Sequence, residues 1–159
     1  MADVEAGGVS TLFLAASAVL GLTGSYDCEI ANIAAISVDG EKASASKIGG
    51  MPKEALRFRL ELKGDKASID WKESPFQIDG KNMALLPTGP ESGMILAVSG
   101  GPCMFTEAAC ATMINFAKST DGSLRLLLVP SAVSTDDASK ERAPFLVSMQ
   151  AQCLARKAS

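Results

Sequence analysis

Residues 56–63 read Leu-Arg-Phe-Arg-Leu-Glu-Leu-Lys, an alternation of apolar and charged side chains without an error. A period of two places every apolar side chain on one face of a β-strand and every charged one on the other. The turn formers Gly64-Asp65 follow, and residues 66–72 alternate again. Two such runs joined by Gly-Asp are typical of a β-hairpin. We therefore predict that this hairpin faces the core with Leu56, Phe58, Leu60, Leu62, Ile69 and Trp71.

Strand patterns continue on both sides of this hairpin. An early strand is predicted from Cys28 to Val38, and Asp121-Gly122 marks a second hairpin before Leu124. In the last alternating run the inward row is Phe145, Val147, Met149, Ala151 and Cys153. Many short strands separated by turns predict an all-β fold, a small antiparallel β-barrel or β-sandwich of roughly 8–10 strands with two disulfides and little helix.

Two runs, residues 94–98 and 124–129, are apolar on both faces of a predicted strand. If Leu126 and Leu128 face the core, Leu127 and Val129 face outward. An exposed apolar row of this kind indicates an interaction surface or needs a cover. We therefore predict that a second sheet, a short helix or a partner chain lies over Leu127 and Val129.

Helix is expected to be scarce. Residues 106–111, Thr-Glu-Ala-Ala-Cys-Ala, could form one or two helical turns capped by Thr106, or else a tight disulfide loop. Residues 134–143 are polar and of mixed charge, which predicts an exposed loop before the last strand.

The four cysteines form an even set that suits two disulfides. Position favours Cys28–Cys153, which would tie the first strand to the last, and Cys103–Cys110, which would close a local loop. Structural zinc sites usually space their cysteines more closely than Cys103-x6-Cys110, so we predict no metal.

Residues 9–25 are uncharged, mostly apolar and end in small residues, which is typical of an export signal. We predict that residues 1–25 are an export signal segment and that residues 26–159 form a single β domain in the periplasm or outside the cell. The opening residues carry the acids Asp3 and Glu5 and no base, unlike an ordinary signal. An atypical signal, a misassigned start codon and a folded N-terminal segment remain alternatives.

Charge and composition exclude several function classes. Removal of residues 1–25 would leave 134 residues with 16 acidic and 15 basic side chains, so the near-neutral chain gives no electrostatic reason to expect nucleic acid. The apolar segment is short for a membrane span, so we expect no integral membrane protein after signal removal. There is no histidine, which removes the commonest general base and zinc ligand. No cofactor is predicted.

Three patterns resemble parts of catalytic or metal sites. Ser44-Ala-Ser-Lys47 matches the Ser-x-x-Lys nucleophile motif, but the companion elements of penicillin-recognising enzymes are absent. Asp70, Glu73 and Asp79 surround Trp71, yet adjacent strand residues point to opposite faces and Trp71 falls in register with the core. The acidic residues of the 134–143 segment lack the spacing of a calcium loop.

The Tyr26-x-Cys28 opening and the terminal Cys153 resemble those of the periplasmic inhibitors of c-type lysozyme. The Ser-Gly-x-x-Tyr loop of that family has no counterpart in this sequence, so no function is carried over. Two classes remain. The first is a non-catalytic exported domain that binds an envelope protein, a glycan or a small apolar ligand, and the alternative is a small hydrolase that uses carboxylates or a Ser-Lys pair.

Overall fold

The computed structural model describes residues 22–39, 42–74, 78, 80–103, 106–132 and 145–156. These residues form nine strands and one short 3-10 helix, Glu54–Leu56. The strands are β1 Gly24–Asp39, β2 Lys42–Lys47, β3 Arg57–Lys63, β4 Lys66–Asp70, β5 Gly80–Gly89, β6 Ser92–Cys103, β7 Thr106–Lys118, β8 Leu124–Ala132 and β9 Phe145–Ala155.

Eight of these strands close into an antiparallel barrel. Strands β3 to β9 follow one another as neighbours, and β1 joins the two ends because it pairs with both β3 and β9. Strand β2 stands outside the ring as a hairpin extension of β1. The all-β fold is thus confirmed in its barrel form, which leaves no open edge within the ring.

Strand β1 pairs with three other strands, which its length of 16 residues allows. Its first part, residues 24–29, pairs with β3, and its last part, residues 34–39, pairs with β2. The opposite edge pairs with β9 from Tyr26 to Ser37, with a register shift between Ile30 and Asn32. A bulge of this kind increases the local bend and twist, which helps one strand follow the curved wall.

Both predicted hairpins are present. Gly64 has φ +63°, as the first central position of a two-residue type II′ turn requires. In the turn between β7 and β8, Gly122 has φ +82°, and the Asp121 carboxylate accepts hydrogen bonds from the Ser123 amide at 2.9 Å and hydroxyl at 2.6 Å. These hydrogen bonds from Ser123 lower the pKa of Asp121, because they stabilise the ionised carboxylate.

The predicted inward rows form the core. The buried members are Phe58, Leu60, Leu62, Ile69, Trp71, Leu126, Leu128, Val147 and Met149. Leu56 differs: it ends the 3-10 helix and is only partly buried against the core, because β3 begins one residue later. The Phe145 side chain lies outside the described part of the structure.

The prediction that residues 106–111 could form one or two helical turns is wrong. These residues belong to β7, where Ala109 pairs with Pro102 and Ala111 pairs with Val98. Ladder hydrogen bonds on both neighbours outweigh the local helix propensity of the alanines. The predicted 134–143 loop lies outside the described residues.

The Cys28–Cys153 disulfide is present at the seam of the barrel. The two cysteines are directly opposite each other on β1 and β9, with a Cα–Cα distance of 3.9 Å, and both are buried. The side chains of Cys103 and Cys110 lie outside the described ones, so the local disulfide stays a prediction.

The fold begins before the predicted mature terminus at Tyr26. Leu22 is buried in the core, Gly24 pairs with Leu62, and the Ser25 carbonyl accepts a hydrogen bond from the Arg156 amide at 2.9 Å. Residues 1–21 lie outside the described part of the chain. The boundary after residue 25 therefore stays a prediction, and a chain cut there would lose the Leu22 side chain from its core.

Gly93 provides a place where packing depends on a missing side chain. It faces inward on β6 directly opposite Phe116, and a Cβ there would lie 2.6 Å from the Phe116 Cζ. We expect Gly93→Ala to lower the free energy of unfolding by about 1–3 kcal/mol, because Phe116 must move within a packed core. Urea unfolding followed by circular dichroism measures this.

The matched control for that change is Gly49→Ala. A Cβ at Gly49 meets nothing within 4 Å, so its effect should stay within about 0.5 kcal/mol. Equal effects of the two substitutions would contradict the steric explanation for Gly93.

Candidate functional site

Side chains occupy the middle of the barrel. Leu60, Ile95, Ile114, Leu128 and Met149, from five different strands, all have 0% of their surface exposed. An eight-stranded barrel is just wide enough for its interior to be filled in this way. The candidate binding surface described below lies on the outer wall.

A contiguous apolar surface covers the outer wall of four neighbouring strands, β5 to β8. Among its members Val98 is 67% exposed, Leu96 49% and Leu127 40%. Its seven side chains, hereafter the apolar face, are Leu86, Met94, Leu96, Val98, Met113, Leu127 and Val129. An exposed, contiguous apolar patch of this kind is typical of an interaction site.

Strand register makes the apolar face continuous. In one row Met94 lies opposite Leu86 on one side and Asn115 on the other, and Asn115 lies opposite Leu127. Side chains directly opposite each other in an antiparallel pair have Cβ atoms about 5 Å apart, which is contact distance for large residues.

The next row is apolar throughout. Leu96 lies opposite Met113, and Met113 lies opposite Val129. Val98 begins a third row opposite Ala111. The face therefore extends in both directions, across the strands and along them.

The predicted interaction residues Leu127 and Val129 lie within this face. Leu127 is exposed, and Val129 is half-buried beside Met113. Among the described residues all strands belong to a single sheet, and no second layer lies over this face. The cover itself stays a prediction.

The outer wall of β1 and β3 is charged instead. The Arg57 Nε lies 3.2 Å from a Glu29 carboxylate oxygen, and Asp27 lies 3.8 Å from the Arg59 Nε and 3.3 Å from the Arg156 Nε. Four of these side chains, Asp27, Glu29, Arg57 and Arg59, line a shallow depression of about 920 Å³. Exposed pairs of this kind add little stability, typically below about 1 kcal/mol each.

The carboxylates considered for hydrolysis lie at this charged depression. Asp70 and Glu73 line it together with Asp27 and Glu29, and all four are exposed. A general acid of the glycosidase kind is instead held in an apolar environment. Asp79 lies outside the described residues.

Strand β2 separates the two residues of the Ser-x-x-Lys motif. Ser44 and Lys47 are three residues apart on β2, so their side chains leave opposite faces of the strand. A serine nucleophile needs its base within hydrogen-bond reach. This placement does not bring the pair together.

The aromatic side chains that the structure describes all point inward. They are Tyr26, Phe58, Trp71 and Phe116. Burial raises the pKa of the Tyr26 phenol, since the ionised form is less well solvated there. An exposed aromatic ring on which a sugar could stack is therefore not found among the described residues.

Several further findings concern ligands, membranes and relatives. The described residues contain no group of three or more histidine, cysteine, aspartate or glutamate side chains arranged to hold a metal ion. No helix in the described ranges has the length and apolar character needed to cross a bilayer. Comparisons with protein-family models, with curated proteins and with solved structures found no match for this chain.

Proposed function

We propose that this protein is an exported, non-catalytic β-barrel domain that acts by binding another protein through the apolar face. The observation that carries the proposal is the apolar face itself, seven outward side chains on four adjacent strands, with Val98 67% exposed. Such side chains are costly to leave in water, and contact with a partner would remove them from it.

The described surfaces favour a protein among the three partner classes that the sequence left open. A small apolar ligand would need space inside the barrel, where the central side chains are fully buried. A glycan would be expected to use exposed aromatic rings and polar groups, whereas the described aromatic side chains are buried. A broad outer face suits the flat contact of two proteins.

Export rests on the disulfide together with the N-terminal apolar segment. A disulfide is compatible with an oxidising location, periplasmic or extracellular. The segment at residues 9–25 supplies the corresponding signal in the sequence.

Photocrosslinking in the producing cells tests the proposal. We expect a light-activated benzophenone amino acid at Leu96 to give a discrete protein adduct, because a bound partner would lie within reach of that position. Val98→Lys in the same chain should abolish the adduct, since a charge would then have to be buried in the contact.

Glu61 is the matched control position. It is exposed on β3 in the charged part of the wall, so the same benzophenone group there should give no discrete adduct. A second chain carries the benzophenone amino acid at Leu127. If neither the Leu96 nor the Leu127 probe gives a protein adduct in cells, a protein-binding role for the apolar face is excluded.

A further inference from the structure

We infer that the partner of the apolar face is the same face of a second copy of this chain, and that the two copies are related by a two-fold axis that passes near Asn115. This inference rests on the proposed function and names the occupant of the same surface. Four observations support it: the absence of charge, the size of the face, its polar border and the amide near its centre.

The apolar face carries no charge that would repel an identical face. No residue from Met94 to Val98 on β6 or from Ala111 to Ala117 on β7 is charged. On β8 the exposed Arg125 lies one row beyond Leu127, opposite Ala117, and so stands at the rim of the face. In a two-fold contact each surface meets its own copy, so any charge near the axis would face a like charge. An uncharged centre therefore avoids like-charge repulsion where the face meets its own copy near the axis.

The dimensions of the face suit the core of an interface. Four strands about 4.8 Å apart, with rows about 6.7 Å apart along each strand, cover roughly 15 by 13 Å. A standard interface buries about 800 Å² on each partner and surrounds an apolar centre with a polar rim. The apolar face can supply that centre.

Polar side chains border the face on the side of β9. Gln150 lies opposite Leu127, and Gln152 lies opposite Arg125. With Asn115 these residues line a depression of about 530 Å³ beside Leu127. This arrangement supplies the hydrogen-bonding rim that a stable interface has around its apolar part.

Asn115 is the most specific of the four observations. Its half-buried amide lies between Met94 and Leu127 in the strand register, so apolar neighbours flank it on both adjacent strands. An amide is self-complementary, because it offers both a donor and an acceptor. Two copies of Asn115 near a two-fold axis could hydrogen-bond each other. In coiled coils, a single asparagine in the apolar interface fixes the register of the two chains in this way.

Sedimentation of the purified exported protein tests this inference. At about 100 μM, above the Kd of a standard-size interface, we expect a species of twice the monomer mass. Asn115→Asp should raise the dimer Kd at pH 7 by at least about 100-fold, because two carboxylates would meet near the axis. The same variant should dimerise again at about pH 3, where an ordinary aspartate is protonated.

A charge-swap mixture makes the test specific to a two-fold contact. Asn115→Asp and Asn115→Lys chains should each be monomeric alone at pH 7 and should form a dimer when mixed. Gln150→Glu is the matched control, since it places one carboxylate at the rim and should change the Kd by less than about tenfold. Circular dichroism checks that each variant is folded.

The outcomes separate this inference from the proposed function. A wild-type protein that stays monomeric at about 100 μM, or Asp and Lys variants that fail to associate when mixed, would overturn the two-fold dimer. If Leu96 then crosslinks in cells to a protein of different mass, binding through the apolar face stands with a foreign partner. A crosslinked product of twice the monomer mass supports the inference.

Discussion

Replacing Cys28 and Cys153 together by alanine is expected to lower the free energy of unfolding by about 5 kcal/mol, the loop-closure value for cysteines 125 residues apart. The bond joins β1 to β9, so its loss frees almost the whole chain in the unfolded state. A domain of this size has a total stability of about 5–15 kcal/mol, so the variant should be marginal. Chemical unfolding at neutral pH measures the loss.

The comparison for this variant is the Cys103→Ala, Cys110→Ala double substitution. If those cysteines form the predicted local disulfide, the ring is short and its removal should cost only about 2–3 kcal/mol. Two substitutions with equal costs would contradict the loop-length explanation. Mass spectrometry after alkylation without reduction gives an independent count of free thiols.

Trp71→Ala is expected to lower the free energy of unfolding by about 3–5 kcal/mol. The indole is 1% exposed and stacks on the Phe58 ring with centroids 4.8 Å apart. Its Nε1 also donates a hydrogen bond of 3.0 Å to the Ala55 carbonyl, which holds the 3-10 helix against the barrel. The alanine variant loses the buried indole surface, the stacking on Phe58 and the hydrogen bond to Ala55.

The Trp71→Phe variant distinguishes the contribution of the aromatic ring from that of the hydrogen bond. It keeps an aromatic ring beside Phe58 and loses the donor to Ala55, so its cost should be about 1–3 kcal/mol. Because Trp71 is the sole tryptophan of the chain, circular dichroism must follow unfolding of both variants. A cost below about 1 kcal/mol for the alanine variant would mean that the core collapses around the gap.

Much of the barrel could be predicted from local alternation. The hairpin at Gly64-Asp65 combines a clean period of two with a turn of known geometry, so both its existence and its inward face follow from the sequence. The Cys28–Cys153 bond could also be predicted, because one cysteine lies in the first strand and the other at the end of the last. Barrel closure itself depends on long-range pairing and could not be distinguished from a sandwich.

Strand β5 was missed because its sequence contradicts the usual strand signals. It contains Pro87, begins and ends with glycine, and carries a bulge where the register to β4 shifts. Asn82 adopts φ +56° there, and its backbone N–H donates a hydrogen bond to the Ser68 hydroxyl at 3.3 Å. A bulge interrupts the period of two, so alternation cannot be followed through it.

Only part of the apolar face could be predicted from the sequence. Leu127 and Val129 follow from the continuous apolar run on β8, and the run on β6 contains Leu96 and Val98. Leu86 belongs to the missed strand β5, and Met113 stands beside the polar Thr112 and Asn115. That these residues form one surface depends on the register between strands, which no single strand encodes.

Pairing of β1 with β9 also determines how late in folding the barrel can close. Residues 145–155 form the last described strand in chain order, yet they close the ring opened by residues 24–39. Native contacts that span most of a chain form late and slowly, because a large loop must be closed first. Until β9 is in place, a folding chain exposes the free edges of β1 and β8, which are templates for pairing with other chains. Pairing of β9 with β1 and β8 removes both edges at once.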